Sequence, residues 1–137
     1  MSTLLIDTSA LFALNYARDD HHANAVVYFK SLVGRVKPIV TEWVFIETMS
    51  LMKARLGPQY AINFGRQLKA SKAFYPLILT DEDKQTTWDI FERYDDKHWS
   101  YTDCSLLAVA QRLKLQRIFT FDHHFQQMGM EVVPSFH

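Results

Sequence analysis

Short apolar runs alternate along this chain with longer stretches in which apolar residues recur at helical spacing. Residues 4–6 form the first run, which breaks off at Asp7-Thr8-Ser9 and reads as a buried strand. A helix is predicted over 9–16, and an amphipathic one over 22–33 that stops at Gly34, suited to the left-handed position after a helix end. Residues 38–40 predict a second strand, after which Thr41 can cap a helix to Leu56. Gly57-Pro58 closes that helix and opens another to about Lys72. Residues 74–79 are strand-like, and Thr80 with Asp83 resembles a capping box for a helix over 81–94. Ser100 opens a helix to Leu113. A strand over 117–120, a short helix over 123–128 ended by Gly129, and a strand over 131–133 complete the pattern. Strands alternating with helices predict an α/β fold with a parallel sheet covered on both faces. Without repeat, low-complexity tract or linker, residues 1–137 read as a single domain.

Composition changes this picture little. The chain is long enough for a substantial core, and its 48% hydrophobic and 22% charged residues are ordinary for a globular protein. A formal net charge of zero gives no general support for nucleic-acid binding, although a local basic patch remains compatible with it. No apolar run approaches the ~20 residues a bilayer-spanning helix needs, so no membrane partner is expected. The N-terminus lacks the pattern of a signal peptide, and the single cysteine, Cys104, fits a reducing compartment; both predict a cytoplasmic protein.

Four acids stand out because they interrupt apolar segments: Asp7, Glu47, Asp103 and Asp122. The acidic pairs and runs at 19–20, 81–83 and 95–96 lie in polar settings instead. Asp7 and Asp122 each follow a predicted strand, and the carboxyl ends of parallel strands line one edge where ligands bind. Glu47 has Trp43, Val44, Leu51 and Ala54 as its helical neighbours, and Asp103 has Trp99, Leu106, Leu107 and Ala110. Both should therefore point toward the sheet. Each acid also has a structural reading. Asp7 can start a turn, Asp122 can cap the helix after it, Ser100-x-x-Asp103 fits a capping box, and Glu47 can pair with a buried cation.

All four together point to a shared compensator, because burying a carboxylate without one is expensive. Mg²⁺ or Mn²⁺ fits, since these ions favour carboxylate oxygens, leave positions open for a phosphate and activate water for in-line displacement. Zinc fits poorly: Cys104 has no cysteine partner at ligand spacing, and the six histidines include no His-x-x-x-His pair.

These residues resemble a known family. Leu-Leu-Ile-Asp7-Thr-Ser-Ala-Leu-Phe is similar to the opening block of a PIN domain. Thr41-Glu-Trp-Val-Phe-Ile-Glu47 resembles its second block, Ser100-Tyr-Thr-Asp103-Cys its third, and Phe119-Thr120-Phe-Asp122-His-His-Phe125 its fourth. The resemblance spans nearly the whole chain and is nearest to the toxin ribonucleases of VapBC-type toxin–antitoxin pairs. It implies a PIN-like three-layer α/β fold with a short, mostly parallel central sheet flanked by helices. It further implies an endoribonuclease using one or two Mg²⁺ or Mn²⁺ ions, a homodimer, and a small antitoxin encoded alongside. Asp7, Glu47, Asp103 and Asp122 match the family's metal-site and catalytic acids. Thr8 or Ser9 matches a small polar position beside the first acid, Thr120 a hydroxyl near the fourth, and Asp96 an outer acid found in some relatives.

Other features have mainly structural readings. Arg66, Lys69 and Lys72 recur along one helix as a possible phosphate track, for which a solvated face is the commoner account. Arg112, Lys114 and Arg117 sit where a helix C-terminus favours cations. His123 and His124 adjoin Asp122, near a leaving group or simply exposed. The tryptophans and phenylalanines read mostly as core, and Cys104 as a small core residue. Two other functions compete with a ribonuclease. A phosphatase with Asp7 as nucleophile would want a second acid two residues on, where Ser9 stands. A catalytically silent RNA- or protein-binding module would not need all four acids.

Overall fold

The apolar runs become strands of a single sheet in a computed structural model, which describes residues 2–135. The chain forms β1 (Ser2–Ile6), α1 (Thr8–Asn15), α2 (His22–Leu32), β2 (Val36–Thr41), α3 (Glu42–Leu56) and α4 (Pro58–Ala70). It continues through β3 (Tyr75–Leu77), α5 (Asp81–Arg93), α6 (Tyr101–Leu113), β4 (Arg117–Phe119), α7 (His124–Gln127) and β5 (Glu131–Val133). The strands lie in the order β3-β2-β1-β4-β5, and every neighbouring pair is parallel. This is the α/β architecture expected, a parallel sheet flanked by helices.

From β1 the chain winds to one side through β2 and β3, then returns past β1 to build β4 and β5 on the other. The boundary between β1 and β4 is therefore the point where the winding direction reverses, and a crevice opens there at the carboxyl ends of the strands. Ile6 registers with Phe119, so Asp7 and Thr120 emerge side by side. Leu4, Leu5, Ile6, Ile118 and Phe119 are buried, which fixes these strand ends in the core.

Several boundaries differ from those read in the sequence. The first helix begins at Thr8 because Asp7 is itself its cap, accepting from the Ala10 N–H. β2 starts two residues early because Val36 pairs with Ser2 of β1. β3 stops at Leu77, and the Leu79 N–H turns to the Glu42 carboxylate. The aromatic residues are not all core either: Trp88, Phe91 and Tyr101 lie exposed on α5 and α6 in one chain of ring contacts.

Asp83 overturns the view that the acidic runs are merely polar surface. Its side chain is fully buried, and Arg112 grips both oxygens, Nε to Oδ1 at 2.7 Å and the second guanidinium nitrogen to Oδ2 at 2.9 Å. This bidentate pair ties α5 to α6. Burial alone would raise the Asp83 pKa, but the Arg112 guanidinium and the Thr80 cap outweigh it and hold the carboxyl below its ordinary range. The pair's stabilisation is therefore present at neutral pH and is lost as pH falls below the ordinary carboxylate range. Asp83→Asn or Arg112→Ala should lower unfolding free energy by about 3 kcal/mol in urea titrations at pH 7. A change within about 0.5 kcal/mol would mean the pair behaves like an exposed one.

Candidate functional site

Asp7 closes the junction between β1 and β4. Its Oδ1 accepts from the Ser9 hydroxyl at 2.8 Å and from the Ala10 N–H at 3.1 Å, and its Oδ2 from the Thr120 hydroxyl at 2.8 Å. The same hydroxyls accept from the far side: Ser9 from the Phe121 N–H at 3.0 Å, Thr120 from the Asp122 N–H at 2.9 Å. Two short relays thus run from the backbone after β4, through a hydroxyl, to each oxygen of Asp7. Ser9 and Thr120 are therefore the small polar residues that hold the first acid. Thr8, next to it, lines the same cleft with a buried hydroxyl that finds no hydrogen-bond partner among the described residues.

Asp103 enters on the first turn of α6, where it completes a reciprocal capping box with Ser100. The local fold thus aims its carboxylate at the end of β4, where His124 Nδ1 lies 3.1 Å from Asp103 Oδ2 and 3.4 Å from Asp122 Oδ1. Asp122 also accepts from the His124 N–H. The capping-box reading of Asp103 is realised, whereas Asp7, read as a turn-former, caps α1. Asp122, read as a cap, makes a turn contact to the His124 N–H, while His123 takes the cap position of α7. All three carboxylates line one cleft of about 550 Å³. Glu47, half-buried on α3, lines that cleft with no hydrogen bond among the described residues.

Other sequence expectations fall elsewhere. Asp96 is an exposed loop residue 3.5 Å from Lys97 and lies outside the cleft. Arg66, Lys69 and Lys72 do not reach the acids: Lys69 packs over Phe45, beside a separate apolar pocket at the β3 edge. Arg66 and Lys69 lie on α4 and Lys72 just beyond its end, all three exposed and none lining the acidic cleft. Cys104 is buried, and burial pushes its thiol up to about 11, leaving it unreactive.

Two charged cleft residues, Asp19 and Arg55, had no site role in the sequence reading. Asp19 lines the mouth, where it accepts from the His21 N–H and so looks like an ordinary turn residue. His124, read as near a leaving group or simply exposed, lines the cleft beside Asp103 and Asp122. Arg55 lies eight residues after Glu47 with Leu51 between, a helical spacing that puts all three on one face of α3.

The electrostatics separate these acids from Asp83. Burial raises the Asp7 pKa to about 7 despite three hydrogen bonds that favour the charged form, and the Asp103 charge adds to the rise. Asp103 is also raised, chiefly by burial, with the Asp122 charge opposing the help it gets from Ser100 and His124. Asp83 has Arg112, whereas among the described residues Asp7 and Asp103 have no arginine or lysine partner. A divalent ion fits this deficit. Asp103, Asp122 and His124 each offer a ligand atom within 4.8 Å of the others, and the unpartnered Thr8 hydroxyl sits in the same wall. The donor set is oxygen-rich with one imidazole nitrogen, which suits Mn²⁺ as well as Mg²⁺.

Apo stability should depend on pH in a direction opposite to that of the Asp83 pair. The native state holds the Asp7 proton up to about pH 7, whereas the unfolded chain releases it near 3.8. The contribution is therefore most favourable below pH 4 and is lost as pH rises through 7. In EDTA, Asp7→Asn should melt above wild type at pH 8, by on the order of a few kcal/mol, with the gap closing toward pH 4. An Asp7→Asn protein that is less stable by the same amount across this range would make Asp7 a structural cap alone.

Comparison with known proteins agrees with this arrangement. The PIN-domain profile matches residues 4–130. The chain is 28% identical over 135 residues to the 23S rRNA-specific endonuclease VapC20 of Mycobacterium tuberculosis, covering 96% of this chain and 99% of that protein. It is 30% identical over 126 residues to a VapC ribonuclease of Archaeoglobus fulgidus, covering 88% and 78%. The VapC20 crystal structure, described as a sarcin-ricin loop cleaving toxin, superposes with a TM-score of 0.84 at 24% identity over 93% of this chain and 95% of that one. A toxin–antitoxin complex from Klebsiella pneumoniae superposes at 0.65, with 16% identity over 97% and 98%. A five-stranded parallel sheet with acids gathered at its β1–β4 edge, matched over most of its length, places this chain in the PIN-domain family, homologous to the VapC ribonucleases.

Proposed function

We propose that the protein is a Mg²⁺- or Mn²⁺-dependent endoribonuclease, the toxin of a VapBC-type pair. The observation that carries this reading is a cleft that gathers Asp7, Glu47, Asp103, Asp122 and His124, in which burial raises Asp7 and Asp103 and no arginine or lysine pairs with either among the described residues. Asp103, Asp122 and His124 would hold the ion, with Asp7 and Glu47 completing the acidic wall. When bound, a divalent cation neutralises phosphate charge and makes water a stronger nucleophile.

The chain's own groups do the rest. Ser9 and Thr120 keep Asp7 fixed, so its carboxylate needs no reorganisation as charge develops. Glu47, without a hydrogen-bond partner among the described residues, is available to accept the proton of an attacking water. Thr8 offers a buried hydroxyl to a phosphate oxygen or a water. The reaction is hydrolysis of an RNA phosphodiester by in-line attack, and the named substrate of the VapC20 relative makes 23S rRNA the first RNA to test. The protein would act in the cytoplasm, and no helix among the described residues is long and apolar enough to cross a membrane. A small antitoxin partner is in keeping with the Klebsiella complex, and the exposed Trp88–Phe91–Tyr101 surface supports a homodimer.

Purified protein should cut RNA with Mg²⁺ or Mn²⁺ and stop in EDTA. Asp7→Asn and Asp103→Asn should each lower the rate more than about 100-fold while remaining folded. Cleavage that persists in EDTA or in both variants would contradict the proposal.

A further inference from the structure

The cleft holds five acids, Asp7, Asp19, Glu47, Asp103 and Asp122, and a single Arg or Lys among its lining residues, Arg55. Arg55 forms no ion pair or hydrogen bond with any of them among the described residues. Its guanidinium instead lies over the Phe12 ring, 5.7 Å from the centroid. Phe12 is buried on α1, the helix that Asp7 caps, so the ring that carries Arg55 is tied to the first acid of the site. The Phe12 ring thus supports the guanidinium, whose N–H donors form no hydrogen bond to the cleft acids among the described residues.

A cation placed among carboxylates yet unpaired with them is poorly explained as their neutraliser, a role that Arg112 performs for Asp83 with two direct contacts. From these contacts we infer that Arg55 is an RNA-phosphate anchor, gripping the backbone of a nucleotide adjacent to the bond that is cut. The inference rests on the ribonuclease reading above. Eight residues of α3 separate Arg55 from Glu47, about 12 Å along the helix axis. That spacing keeps its charge clear of Glu47 and leaves it for a neighbouring phosphate. The planar, aromatic-backed fork suits bidentate contact with phosphate oxygens. It also supplies the local positive charge that a chain of zero net charge otherwise lacks here.

The test is steady-state cleavage of one RNA by wild type, Arg55→Ala and Arg55→Lys with saturating Mn²⁺ over a series of KCl concentrations. Arg55→Ala should lose efficiency mainly through KM, by about 10- to 100-fold. Its plot of log(kcat/KM) against log[KCl] should be shallower by about 0.7, one phosphate contact fewer. Arg55→Lys should restore the slope but only part of the affinity, because it keeps the charge and loses the fork. Melting temperature and calorimetric Mn²⁺ affinity should match wild type in both variants. If wild type cuts and Arg55→Ala keeps its KM and salt slope, the Arg55 assignment fails alone. Loss of folding or of Mn²⁺ binding in Arg55→Ala would equally overturn it in favour of a structural role. If wild type cuts no RNA, the ribonuclease reading fails and takes this inference with it.

Discussion

The Asp7 carboxylate, buried at the joint between two central strands with no cation beside it among the described residues, is the constraint on which the site depends. It caps α1, terminates β1 and, through Ser9 and Thr120, fastens the end of β4. Its hydrogen bonds fix its position but do not offset the cost of burial, so its pKa stays raised to about 7. The protein can stabilise a buried carboxylate fully, as Asp83 demonstrates with Arg112. Leaving Asp7 and Asp103 without such a partner keeps a local deficit of positive charge at the switch point of the sheet. A divalent cation is the simplest species that removes it.

This arrangement joins stability to function. The carboxylates that would hold the ion are also the caps and ties that shape the cleft, so the ligand geometry is largely set before anything binds. Preorganised charge of this kind is effective because little has to move when a phosphate develops charge. On the proposed reading, the cost is an apo native state less stable than the same fold would be with amides, which a bound ion would offset by mass action.

Much of this was legible in the sequence. The apolar run before Asp7 marked a central strand, and helical spacing placed Glu47 and Asp103 on walls of the cleft. What local pattern could not distinguish was function from structure. Thr80-x-x-Asp83 and Ser100-x-x-Asp103 are the same capping signature, both form reciprocal boxes, and both acids are buried. They differ only in partners from distant sequence: Arg112 for Asp83, and His124 with a second acid for Asp103. Asp19 and Arg55 reach the cleft through a turn and the far end of a helix, which no motif marks. For the basic repeat of Arg66, Lys69 and Lys72, which does not line the cleft, regular spacing says which residues share a face but not where that face points.

Proton release on cation binding tests the central claim most directly. At pH 6 the apo protein should hold a proton on Asp7, which Mn²⁺ must displace. Calorimetric titration with Mn²⁺ in buffers of different ionisation enthalpy should report about one proton released per site at pH 6, less at pH 8, and none attributable to this group in Asp7→Asn. Binding at pH 6 with no buffer dependence would show that Asp7 is already ionised and compensated, and would contradict the account.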